Sequence, residues 1–85
     1  MYSIAIKRQA HKAILRLPKK ISERFRSAFK ELAIDPYNTE HDIRKLTGRE
    51  GYRLRIGGDR AIYTIDDNLL VILVVNVGSR GGIYK

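Results

Sequence analysis

The sequence predicts an α+β domain in which an N-terminal strand, an αα-hairpin and an antiparallel β-meander follow in the order β-α-α-β-β-β, with both helices on one face of the sheet. Three observations predict it. Apolar residues recur at helical spacing from Ala10 to Leu32, β-rich runs fill most of residues 52–77, and the breaks between those runs are short enough to be hairpin turns. The face of the sheet away from the helices is then free for a ligand.

Each element has its own signal. Residues 2–6 alternate Tyr2, Ile4 and Ile6 against Ser3 and Ala5, the period of a short strand. Ala10, Ala13, Ile14 and Leu17 share one helical face and Pro18 interrupts the run, which predicts a helix over residues 8–16. Pro18 suits the first turn of a second, longer helix, in which Ile21, Phe25, Ala28, Phe29 and Leu32 form the apolar stripe. Asp35-Pro36 closes it, because the residue before a proline is pushed out of the α region. Residues 37–48 read as a polar connection. Residues 52–56, 60–66 and 69–77 read as three strands joined by Gly57-Gly58-Asp59 and Asp67-Asn68. Residues 69–75 are apolar throughout, as expected of a central strand covered on both faces.

A chain of 85 residues is sized for one domain, residues 1–85, with no room for a second. Seventeen Lys and Arg against nine Asp and Glu give a net charge of +8, which favours polyanionic partners. Residues 1–34 carry nine bases and two acids, so most of the long-range field comes from the helical half. With no cysteine there are no disulfides or thiolate metal sites, and a cytoplasmic setting is expected. Residues 69–75 are the longest apolar run and fall far below the roughly 20 residues of a membrane helix, so no membrane association is expected. His11 and His41 have no second ligand at metal-binding spacing and read as solvated, so no metal is assigned. Tyr63 reads as core.

The chemistry concentrates in the last third. Alternation puts Arg53 and Arg55 on one face of a strand, roughly 6 to 7 Å apart. Two cations so close repel unless an anion lies between them. Arg60 opens the next strand across a tight turn, and Arg80 and Tyr84 follow the last one, so all five are placed to converge. A guanidinium stays charged at physiological pH and presents a planar fork of donors matched to phosphate oxygens, which points to a phosphodiester ligand.

From Lys45 onward the chain resembles the RelE toxins of the RelE/ParE superfamily, basic proteins of prokaryotic toxin-antitoxin modules. The likeness rests on Lys45-Leu46, Gly51-Tyr52-Arg53-Leu54-Arg55-Ile56, Asp59-Arg60-Ala61-Ile62-Tyr63, Val77-Gly78-Ser79-Arg80 and Ile83-Tyr84. The resemblance implies a ribosome-dependent endoribonuclease that cleaves mRNA in the A site by attack of a ribose 2′-OH on the adjacent phosphate, without metal or other cofactor. It implies Arg53, Arg55, Arg60, Arg80 and Tyr84 as catalytic residues; Lys45, Arg53 and Arg55, with Lys19 and Lys20 of the basic helical face, are the candidate RNA-binding residues. The implied partners are the ribosome, its mRNA and a RelB-like antitoxin, the last in a hetero-oligomer that binds operator DNA.

The sequence departs from the family pattern twice. Several relatives carry lysine where Arg53 and Arg55 stand, and a guanidinium is a poor general base, so the proton acceptor is open among Glu50, Asp59, Tyr84 and a ribosomal group. Ser79 and the pair Gly81-Gly82 also differ from the family's last motif. The basic helical face, which includes Lys12, Arg16, Lys19, Lys20, Arg24 and Lys30, reads equally as a solvated face and as a footing on rRNA phosphates. Two alternatives stand beside the nuclease: a ParE-like inhibitor of DNA gyrase that cuts no RNA, and a catalytically inactive relative.

Overall fold

Helical spacing and strand alternation become seven elements in the computed structural model, which describes residues 1–37 and 40–79. In chain order these are β1 (Ser3–Ile6), α1 (Arg8–Arg16), α2 (Lys19–Ile34), β2 (Asp42–Lys45), β3 (Tyr52–Ile56), β4 (Asp59–Asp66) and β5 (Val71–Ser79). They form one five-stranded sheet of order β1-β5-β4-β3-β2. Strands β2 to β5 are an antiparallel meander, and β1 closes the far edge parallel to β5. The expected α+β architecture is present, with one addition. Residues 42–45, read from the sequence as part of a polar connection, are the edge strand β2. Its Ile43 is half-buried against the core while its other three residues are exposed.

The helices cover one face because their stripes have nowhere else to go. Ala10 and Ile14 of α1 and Phe25, Ala28, Phe29 and Leu32 of α2 pack with Leu54, Ile56, Ala61, Tyr63, Ile72, Val74 and Val77 of the sheet in one buried cluster. Each large apolar side chain so buried contributes about 1.5 to 3 kcal/mol. The phase of β5 shifts midway: Ile72 and Val74 face the core, then Val77, and the register with β4 jumps between Ile62 and Tyr63. Such a bulge adds a residue to one strand and lets both ends of β5 keep an apolar side chain inward. The second face of β5 is half-buried rather than fully covered, and the strand starts at Val71 rather than Leu69. The four preceding residues are a turn, in which Asp66 Oδ1 accepts the backbone N–H groups of Asn68 and Leu69 at 3.0 and 2.9 Å and Leu70 takes a φ of 54°.

The same end of the molecule is clasped by Asp67. Its carboxylate accepts the Tyr2 hydroxyl at 2.6 Å and the Tyr37 hydroxyl at 2.8 and 2.9 Å, joining the β4–β5 turn to the chain ahead of β1 and to the segment after α2. Those two donors hold the Asp67 carboxyl below its ordinary range. Donating to that carboxylate in turn raises Tyr2 and pushes Tyr37 up to about 12. Tyr63 lies in the core as expected, stacked on Tyr52 at 5.6 Å, and burial pushes its hydroxyl up.

Gly51 sets the entry to β3. It adopts φ 127°, its carbonyl accepts the Leu46 N–H at 2.9 Å, and a Cβ there would meet the Tyr63 carbonyl oxygen at 3.0 Å and the Leu46 side chain at 3.2 Å. Gly51→Ala is therefore expected to destabilise the fold by about 1 to 3 kcal/mol, read as a lowered urea midpoint with an unchanged m-value. Asp67→Asn tests the clasp. Because the folded-state pKa of Asp67 is depressed, the carboxylate's stabilisation is complete above the unfolded value near 3.9 and is lost as pH falls through the folded value. Melting curves should show parent and variant apart at pH 7 and converging in acid.

Candidate nucleic-acid interface

The two-residue turn Gly57-Gly58, with Gly57 at φ 61°, pairs Ile56 with Asp59 and thereby fixes the register of the β3–β4 hairpin. Arg55 then faces Arg60 directly across the two strands. On the other side of β3, Arg53 faces Arg44 and Arg55 faces Asp42. Residues directly opposite share a face, with Cα atoms about 4.5 to 5.5 Å apart. Arg44, Arg53, Arg55 and Arg60 therefore all belong to the face away from the helices. Like charges so placed destabilise a sheet unless something compensates them.

Compensation from within the domain is partial. Asp42 Oδ2 accepts both Nε and Nη2 of Arg55, at 2.9 and 2.8 Å, with the two side chains 42% and 48% exposed. An ion pair that open to water is worth about 0 to 1 kcal/mol, so a multiply charged anion competes with it easily. Arg44, Lys45, Arg49 and Arg53 make no ion pair among the described residues. The Nε of Arg53 is shut away from solvent with no hydrogen-bond partner among the described residues, a buried donor whose neglect costs about 1 to 3 kcal/mol. Ile62, between Arg53 and Asn76 in the ladder, is only 2% exposed although it lies outside the core under the helices. The cations thus surround an apolar floor, where charge is less well screened than in open water.

The sequence-predicted residues fall into three groups. Arg53, Arg55 and Arg60 come together on adjacent strands. Lys45 lines a cleft of about 460 Å³ with Arg53, Arg44 and Arg49. Lys20 shares a separate cleft with Arg55, one that also holds Glu23, Glu40 and Asp42, while Lys19 is exposed at the first residue of α2. Arg80 and Tyr84 lie outside the described residues; β5 ends at Ser79 opposite Asp59, the residue before Arg60. Of the candidate proton acceptors, Glu50 lines a depression with Thr64 and Asp66 at the opposite end of the hairpin, roughly 15 Å along the strand from Arg55. Asp59 has the parity of Ala61, which faces the core. Sequence reasoning missed Arg44, Arg49 and Asp42. The alternation of Asp42, Ile43 and Arg44 was the available signal for two of them. Among the described residues no cluster of potential metal ligands occurs, and no helix is long and apolar enough to cross a membrane.

Comparison with known proteins places this geometry in context. The family described as the ParE toxin of type II toxin-antitoxin systems, parDE, matches over residues 4–84. A protein of Escherichia coli described as a RelE-like toxin is 29% identical over 79 residues, covering 93% of this chain and 83% of the relative. The archaeal RelE-RelB complex from Pyrococcus horikoshii OT3 contains a chain with TM-score 0.83 and 33% identity, over 95% of this chain and 97% of that one. A chain of the intact E. coli RelBE complex shares the fold at TM-score 0.80 and 23% identity, over 93% and 96%.

Asp42→Asn removes the counter-charge paired with Arg55. Its stability should stay within about 1 kcal/mol of the parent, while pyrophosphate binding, followed by calorimetry at low salt, should tighten severalfold.

Proposed function

The chain belongs to the RelE/ParE superfamily of type II toxin-antitoxin toxins, and from that premise we propose that it is a ribosome-dependent endoribonuclease that cleaves mRNA in the A site. The observation that carries the reading is Arg55 facing Arg60 across a tight hairpin, with Arg53 two residues along on the same face. Three guanidinium groups on adjacent strands suit one phosphodiester. In the proposed reaction the ribose 2′-oxygen attacks the adjacent phosphorus, the bond to the 5′-oxygen breaks, and a cyclic 2′,3′-phosphate and a 5′-hydroxyl result. One proton leaves the 2′-OH and one reaches the departing 5′-oxygen. Arg60 and Arg80 stabilise the charge on the phosphorane oxygens, Arg53 and Arg55 grip the RNA backbone, and Tyr84 stacks on a base or orients the 2′-OH. With Glu50 remote and Asp59 on the other parity, the proton acceptor is assigned to Tyr84 or a ribosomal group. No metal or other cofactor is assigned.

Lys19 and Lys20 open α2 at the positive end of its dipole, and that first turn holds no acidic residue. An arrangement unfavourable to the isolated helix suits a footing on rRNA phosphates. Several similar solved structures are complexes of RelE with RelB, which supports a RelB-like antitoxin as partner here; in this reading that complex lies in the cytoplasm, bound to operator DNA. The ParE family match favours a second reading, inhibition of DNA gyrase without RNA cleavage.

Programmed ribosomes with a vacant A site, read by primer extension, separate the two. The nuclease reading expects cuts within the A-site codon, a loss of about 100- to 1,000-fold in Arg60→Ala and Arg80→Ala, and untouched gyrase supercoiling. Intact message beside inhibited gyrase would establish the ParE-like reading instead.

A further inference from the structure

The cleft beside β2 is cationic to a degree the catalytic scheme does not use. Arg44, Lys45, Thr47, Arg49 and Arg53 line it with Leu46, and among the described residues no carboxylate does. The neighbouring cleft at Arg55 holds three acids among its lining residues. Arg44, Lys45 and Arg49 are exposed, and the Leu46 N–H to Gly51 carbonyl bond closes the loop that carries Arg49 back toward Arg53. A domain gains no stability from gathering four cations around one cleft; such a gathering is favourable when an anion enters it.

We infer that Arg44, Lys45 and Arg49, grouped around Arg53, form a second phosphate-binding subsite that holds the backbone of single-stranded RNA one nucleotide or more away from the scissile linkage. The inference rests on the RNA-directed reading above and adds Arg44 and Arg49 to it. Arg53 stands between the subsite and Arg55, and the Arg53 to Arg55 separation of roughly 6 to 7 Å along β3 lets one polyanionic strand touch both. Arginine forks take phosphate oxygens two at a time, so this cleft fixes the register in which the strand enters. Arg44 and Arg49 are positioning residues. They hold the flanking backbone while the Arg55 and Arg60 side of the hairpin meets the reacting phosphate.

The probe is a ten-nucleotide 2′-O-methyl oligoribonucleotide, which cannot be cut, followed by fluorescence anisotropy between 50 and 200 mM salt. An Arg44→Ala/Arg49→Ala double variant should bind at least tenfold more weakly, with a log–log salt slope shallower by about 1.4, the loss of two single-strand phosphate contacts. An Arg8→Ala/Arg26→Ala double variant removes the same charge from exposed helical positions and should lose less than threefold. Equal losses in the two variants, or none in the first, would overturn the subsite. Circular dichroism melts establish that both variants are folded. The same proteins on programmed ribosomes keep the two ideas apart. Cleavage by the parent with unimpaired oligonucleotide binding by Arg44→Ala/Arg49→Ala removes the subsite and leaves the nuclease. Selective loss of binding in that variant with no cleavage by the parent supports the subsite and removes the nuclease.

Discussion

Repulsion between guanidinium groups facing each other across β3 is the constraint around which the rest of this structure is arranged. Arg44 opposite Arg53 and Arg55 opposite Arg60 are costly neighbours on a free sheet. The fold offsets that cost with an apolar cluster on the other face, where Tyr63, Phe25, Leu32, Leu54, Ile72 and Val74 are fully buried. Helices on one side supply stability, and the arginine side spends part of it on charge. Asp42 softens the arrangement at Arg55, through a half-exposed pair weak enough to exchange for a phosphate.

The two ends of the hairpin divide the work. At the β4–β5 turn, Asp67 ties Tyr2 and Tyr37 together and anchors the edge formed by β1. At the β3–β4 turn, two glycines impose the register that aligns Arg55 with Arg60. Rigid closure at one end lets the other end present closely spaced cations without splaying. The β5 bulge serves the same purpose: it restores Val77 to the core while Asn76 and Gly78 remain on the arginine side, opposite Ile62 and Arg60.

Both helices, β3 and the interior, non-edge place of β5 were legible because apolar residues are dense there, although β4 is the central strand and the second face of β5 is half-buried. Phe25, Ala28, Phe29 and Leu32 admit one helical face, and the Tyr52, Leu54, Ile56 alternation admits one strand parity. β2 was not legible: it has four residues and a single apolar side chain, Ile43, so edge pairing with β3 rather than local propensity makes it a strand. The Asp67 clasp was equally hidden, since its tyrosines lie 65 and 30 residues away in sequence. The grouping of Arg53, Arg55 and Arg60 followed from alternation and a short turn. The share of Arg44 and Arg49 in the same surface needed the β2 pairing, which only the tertiary fold supplies.

The central claim is that cations from separate β-elements act as one site on one RNA strand. Its most direct measurement is a titration of arginine side-chain Nε–H resonances with a non-cleavable 2′-O-methyl RNA at low salt. The account predicts that Arg53, Arg55 and Arg60 shift together with a single dissociation constant, and that Arg55 does so as its Asp42 pairing is released. Independent constants for those three, or shifts confined to the helical arginines, would contradict it.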